Sequence, residues 1–277
     1  MGFRRAVAVI TAFLSLTTGV IGAGSAAAAG PPQRGYYLSL GDSIAFGFRP
    51  DLATIGDVNP AHYRGYAEGF AAMRPHLTLV NYACPGETST TMLMGGCTWP
   101  TSHDPYPVSD SQLAAAEAFL GAHPGQVSLI SIDIGSNDLL GVVRPCADKP
   151  DPIACIRPAL GAALTTLAGN YAQILKRLTD VAPTAKIVVL NYYNPLELAL
   201  PGSDELATRA NQLLQSLADD VGASVADAFG AINHRANSPA ELVFLCTRTW
   251  ECTKYKDVHP TPLGYRALTV ALLHASR

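Results

Sequence analysis

Four positions carry side chains or backbone that could do chemistry together. Ser43 ends the run YYLSLGDS, Gly86 lies in NYACPGETS, Asn137 in IDIGSNDLL and His259 in KDVHPTPLGY. A hydroxyl, a bared glycine backbone, a carboxamide and an imidazole are what ester hydrolysis asks for: a nucleophile, N–H donors for the developing oxyanion, and a base. Singly, each has a plainer reading: a turn serine, a turn glycine after Pro85, an asparagine starting a helix, a solvated histidine. The Gly-x-Ser-x-Gly pentapeptide that presents a serine nucleophile on a strand-to-helix turn does not occur in the chain. What joins the four is position. Ser43, Gly86 and Asn137 each follow an apolar run of strand length, and His259 precedes the closing helical pattern.

Those runs cover residues 36–40, 77–82, 127–134, 186–191 and 223–228. Between them, Leu160, Leu164, Leu167, Tyr171, Ile174 and Leu178 step along one helix face, as do Leu206, Ala210, Leu213, Leu217 and Val221. Ser203 is placed to cap the second of these helices, and residues 263–275 read as a final one. Strands of continuous hydrophobicity alternating with helices predict a parallel sheet covered on both faces, an α/β fold. Ligands in such sheets sit beyond the carboxyl ends of the strands. The Pro/Gly/Asp-rich stretches 49–63, 95–111 and 142–158 are therefore expected as long loops walling a pocket. Phe46, Phe48, Tyr63, Trp99 and Tyr106 could form its apolar side or simply pack.

The chain has 277 residues and a formal charge of −3. Arg4 and Arg5, the apolar stretch 6–23 and the Ala27/Ala29 cleavage pattern predict a secretory signal peptide over residues 1–29, followed by a single domain over 30–277. Without a basic run, nucleic acid is not an expected partner. No second apolar span is expected to reach membrane length. The six cysteines fall into local couples, and of the 15 possible pairings the local one is expected: Cys84–Cys97, Cys146–Cys155 and Cys246–Cys252. Their spacing argues against zinc, and export to an oxidising compartment suits them.

Taken in order, GDSIAFG, the Gly86 segment, GSND and DVHPT resemble the four blocks of the GDSL, or SGNH, hydrolase family, most closely its secreted bacterial lipases and esterases. The resemblance implies a three-layer α/β/α sandwich with a central parallel sheet, flavodoxin-like, acting on small-molecule or lipid acyl esters as a monomer, without cofactor or metal. It makes Ser43 the nucleophile and His259 the general base. The N–H groups of Ser43 and Gly86 and the Asn137 amide become the oxyanion donors. Asp42 and Asp138 are then structural, turn or cap residues. Two departures stand out. Ser136 replaces the family's usual second glycine, and Lys256 occupies the position, three before the histidine, where an aspartate is usual. Either Asp257 or a backbone carbonyl in the Cys246–Cys252 loop is left to orient His259. The expected activity is a secreted lipase or esterase, phospholipase included. A polysaccharide O-deacetylase or a non-catalytic binding protein on the same scaffold are the alternatives.

Overall fold

A computed structural model describes Gly2, residues 35–107 and residues 110–277. The expected leader, Gly2 apart, lies outside the described residues. Five of the apolar runs pair as β1 (Gly35–Gly41), β2 (Leu77–Asn81), β3 (Val127–Asp133), β4 (Lys186–Leu190) and β5 (Ser224–Ala226). They form one parallel sheet in the order β2-β1-β3-β4-β5. A second, two-stranded antiparallel sheet joins β6 (Thr249–Trp250) to β7 (Asp257–Pro260), which the sequence reading did not foresee.

The helices are α1 (Ser43–Phe46), α2 (Pro50–Ala53), α3 (Tyr66–Ala72), α4 (Ser89–Met94), α5 (Gln112–Ala122) and α6 (Ser136–Val143). They continue as α7 (Pro152–Val181), α8 (Asp204–Asp220), α9 (Ala228–Ile232), α10 (Glu241–Arg248) and α11 (Pro262–Ala275). Side chains alternate across a strand, so each central strand feeds two cores. Leu38, Leu40, Ile130, Ile132 and Val189 pack on one face against α4, α5, α7 and α8. Tyr37, Leu129 and Val188 pack on the other against α1, α3, α9 and α11. Three layers result. Each fully buried aliphatic or aromatic side chain contributes roughly 1.5–3 kcal/mol of transfer free energy.

The stretch 142–158 is not the long loop expected. α6 runs to Val143, a 3₁₀ turn follows at Arg144–Cys146, and α7 already begins at Pro152. Asp151 caps α7 by accepting from the Ala154 N–H, and a proline at N1 has no N–H to lose. Pro158 lies inside this helix and cannot bond back to the carbonyl of Ala154, yet the chain stays helical around it. Ser203 precedes α8 as expected but does not cap it; its hydroxyl turns to Glu197 and Asn194. By length and composition α7 could cross a membrane, contrary to expectation. Its carboxyl half instead lays Leu167, Tyr171, Ile174, Leu175 and Leu178 on the sheet.

The strand order reverses direction between β1 and β3. In open parallel sheets that is where a crevice opens beyond the strand ends. β1 ends at Gly41, two residues before Ser43, and β3 ends at Asp133, four residues before Asn137.

Candidate active site

Gly41 has φ +143°, and a side chain there would run into the carbonyl of Asp133 across the β1–β3 register. The chain then turns sharply into α1, a single helical turn. The Asp42 carboxylate caps it by accepting from the Ile44 N–H at 2.9 Å. Ser43 opens that turn and is buried to 8% exposure. Asp42 is thus a cap residue, as expected.

His259 reaches Ser43 from the far end of the chain. Its Nε2 lies 2.8 Å from Ser43 Oγ, and its Nδ1 lies 2.6 Å from Asp257 Oδ1. The local structure explains why Asp257 can do this. Residues 257–260 are the strand β7, and on a strand positions two apart share a face. Lys256, by contrast, sits in the left-handed region at φ +48°, in the turn before the strand. The same Asp257 oxygen also accepts the His259 backbone N–H at 2.9 Å. Two outer bonds hold β7 in place: the Tyr193 hydroxyl donates to the Val258 carbonyl, and the Trp250 indole donates to that of Pro260. Phe48 packs on the imidazole with ring centroids 4.4 Å apart. Burial works to raise the Asp257 carboxyl, but the hydrogen bonds and charge of His259 outweigh it and hold the group below the usual carboxylate range.

Gly86 has φ +87°, and no atom lies within 4 Å of where its side chain would be. Its backbone is therefore bare toward the cavity it lines. Asn137, in the first turn of α6, donates from Nδ2 to the Glu87 carbonyl at 2.9 Å, which fixes its amide beside Gly86. Asp138 does not cap its own helix. It reaches across to accept from the Ser89 N–H at 2.8 Å and the Ser89 hydroxyl at 2.5 Å, tying α6 to the start of α4.

All three cysteine pairs are bonded as expected, Cys84–Cys97, Cys146–Cys155 and Cys246–Cys252. The Glu87 carboxylate lies close to the first pair at metal-ligand spacing. Those sulfurs are bonded to each other, so no thiolate is free to ligate.

Ser43, Gly86, Asn137 and His259 open on a cavity of about 500 Å³. Of the five aromatics singled out in the sequence, Phe48 and Trp99 line it. Phe46 and Tyr63 are buried behind them, and Tyr106 packs on Tyr82. The larger wall is aliphatic and went unforeseen: Leu139, Leu140 and Val143 of α6, Ile156 and Leu160 of α7, and Leu196, Leu200 and Leu206 around the start of α8. The available signal was NPLELALPGSDELA, whose leucines follow the fourth strand where a polar loop would be ordinary.

The GDSL-like lipase/acylhydrolase model matches residues 39–267, nearly the whole described domain. The chain belongs to this family. Solved structures share the GDSL fold at low identity. An extracellular lipase from Streptomyces rimosus is 20% identical with a TM-score of 0.61, covering 87% of this chain and 99% of its own. A phospholipase A1 from Streptomyces albidoflavus is 22% identical at 0.57, covering 87% and 99%. An acetylxylan esterase from Geobacillus stearothermophilus is 16% identical at 0.55, covering 88% and 96%. No curated protein matches the sequence. At these identities the neighbours establish the fold alone; that the chain is a GDSL-family hydrolase rests on the family match.

Behind the GDSL serine lie two buried carboxyls, those of Asp42 and Asp133, which are 0% and 4% exposed and whose backbones are joined by the Asp42 N–H to the Asp133 carbonyl at 2.9 Å. Burial, with lesser repulsion from Asp138 and Glu87, pushes Asp42 up to about 7, and burial with Asp42 beside it raises Asp133 well above its ordinary value. A carboxyl raised on folding favours the folded state fully below its unfolded value of about 4. That contribution is lost as pH climbs through the raised value. Melting temperature is accordingly expected to fall between about pH 4 and pH 8, and Asp133→Asn should flatten the fall. Parallel curves for the two proteins would show the pair to be irrelevant.

Proposed function

We propose that the protein is a secreted serine carboxylester hydrolase, a lipase or esterase that prefers acyl chains long enough to enter the aliphatic wall of the cavity. One observation carries the reading. The hydrogen-bonded series Ser43 Oγ, His259 Nε2, His259 Nδ1, Asp257 stands at the mouth of a mainly apolar cavity, beside Gly86 and Asn137.

In this reading Ser43 Oγ attacks the ester carbonyl carbon while His259 Nε2 takes its proton. The carbonyl oxygen becomes an oxyanion facing the N–H groups of Ser43 and Gly86 and the Asn137 amide, whose second hydrogen leans on Asp42 Oδ2 at 3.4 Å and would turn from it to the oxyanion. The tetrahedral intermediate collapses as His259 returns the proton to the leaving alkoxide, and the acyl group stays on Ser43. Water, deprotonated by the same imidazole, then attacks the acyl carbon; the second tetrahedral intermediate breaks its bond to Ser43 Oγ, which recovers the proton from His259 as the carboxylic acid leaves. Asp257 keeps the Nδ1 hydrogen in place and balances the imidazolium. Export is supported by the leader-like amino terminus, the three disulfides and the extracellular lipase among the structural neighbours.

The test is a p-nitrophenyl ester series from acetate upward, run beside a phospholipid. Each buried methylene is worth about 0.8 kcal/mol, so kcat/KM should climb by up to about fourfold per carbon until the aliphatic wall is filled. A maximum at acetate would favour a deacetylase. Absence of turnover by the folded protein would favour a binding role.

A further inference from the structure

We infer that Gln112, on an element remote in sequence from all four motifs, is a positioning residue that locks the nucleophile turn to the Gly86 loop. This rests on Ser43 as nucleophile and Gly86 as oxyanion donor. β2 ends at Asn81, so at Gly41 the edge of β1 has no regular ladder partner on that side. A parallel strand points the N–H and C=O of one residue to the same side, and neither can be left unpaired in the interior. The Gly41 carbonyl accepts from the Cys84 N–H at 3.0 Å.

The primary amide of Gln112 completes the edge. Its Oε1 accepts the Gly41 N–H at 2.6 Å, and its Nε2 donates to the Gly41 carbonyl at 2.9 Å. The Gly41 N–H and C=O belong to two successive peptide groups, and one primary amide, with its donor and acceptor on the same side, answers both. The remaining Nε2 hydrogen goes to Glu87 Oε2 at 3.3 Å. One side chain therefore grips the residue two before Ser43 and the residue directly after Gly86. Glu87 in turn supplies the carbonyl that holds Asn137. Gln112 is 1% exposed and is the first residue of α5, whose N-cap Ser111 fixes its direction. No other residue type can do the same work at this length. Glutamate, when ionised, has no hydrogen for the Gly41 carbonyl or for Glu87, and leucine has neither acceptor nor donor.

The inference concerns distance between donors. Ser43 N–H and Gly86 N–H belong to different strand ends, and a misplacement of about 1 Å between catalytic groups costs up to about 10²-fold. Gln112→Glu and Gln112→Leu should each lower kcat by about 10–100-fold while KM stays within about twofold. The glutamate variant carries a signature that packing damage does not. Buried and beside the Glu87 carboxylate, its new carboxyl is raised above its free value of about 4.3, so that as pH falls toward about 5 it takes up a proton and regains a donor. Its activity relative to the parent protein should then recover, whereas that of Gln112→Leu should not. Asp42, Glu87 and Tyr106 are the titratable neighbours, and each is present in all three proteins, so their titration cancels in the comparison.

The measurements are kcat and KM per active site, counted with a serine-directed phosphonate, together with melting temperature. If Gln112→Glu keeps kcat within about twofold of the parent, or its loss ignores pH, the inference is overturned. It is equally overturned if activity per titrated site is unchanged and only the folded fraction drops. If the parent protein neither turns over esters nor takes phosphonate on Ser43, the underlying hydrolase reading has failed instead.

Discussion

Ser43→Ala is expected to abolish ester hydrolysis, with a loss on the order of 10⁶ in turnover, the scale seen when a hydrolase triad loses its nucleophile. The substitution deletes the only atom that can carry the acyl group, so the remaining donors can no longer act on a covalent intermediate. Folding should survive. The Ser43 hydroxyl has His259 Nε2 as its hydrogen-bond partner, and that nitrogen faces a cavity where water can take the place of the hydroxyl. Circular dichroism and melting temperature establish the folded state, and hydrolysis of the best ester in the series reads the chemistry. Loss of the nucleophile leaves at most the small catalysis that binding and oxyanion donors supply by themselves. A folded variant with a tenth of the parent turnover would place the nucleophile elsewhere.

Asp257→Asn should cost about 10⁴ in turnover, the effect of losing the aspartate of a triad. The backbone geometry is expected to persist, because the Asn carbonyl oxygen can still accept the His259 N–H that Oδ1 now holds at 2.9 Å. What changes is the ring. A neutral carboxamide gives no charge to balance the imidazolium, and its oxygen, shared with the His259 backbone N–H, holds the Nδ1 hydrogen more weakly, so the productive tautomer loses its advantage. KM should move little. A fall of less than tenfold would mean that the Ser43–His259 pair works without a carboxylate, and Asp257 would then be only a bracket for the β7 backbone.

The parts of the molecule legible in the sequence are those set by local pattern. The strand runs, the face of α7 and the three cysteine couples depend on local sequence, and all appear in the structure, while α8 forms as expected but turns Leu214 and Ala218 inward in place of Leu213. Asp257 was half legible. Counting residues back from His259 left Asp257 and a backbone carbonyl both open, because the direction of the side chain follows from β7 being a strand, which pairs with β6. Asp138 went astray for a related reason. Its place after Asn137 reads as a helix cap, yet its carboxylate has a better partner in the Ser89 backbone, 49 residues away. Pro158 suggested a break where α7 continues, since nearby residues with tertiary partners outweigh a single lost hydrogen bond. Gln112 was not legible at all. Nothing in the pattern before α5 shows that its amide will meet Gly41 at a separation of 71 residues.

The aliphatic wall of the cavity has a wider consequence. Ile156, Leu160 and Leu200 pack with Cys146 in a small cluster of their own, apart from the two cores that sandwich the sheet. The residues holding Ser43, Gly86 and Asn137 draw their support from the sheet ends, whereas those bounding the far side of the cavity draw theirs from one another and from the Cys146–Cys155 bond. Residues in separate packing clusters tend to change independently in their energetic effects. A lineage can therefore exchange leucine for alanine or phenylalanine in this cluster, shortening or lengthening the accepted acyl chain, while the reacting atoms keep their places. If the cavity takes the acyl chain as proposed, acyl preference is the trait this scaffold is freest to vary, and descendants would differ first at residues 139–160 and 196–206.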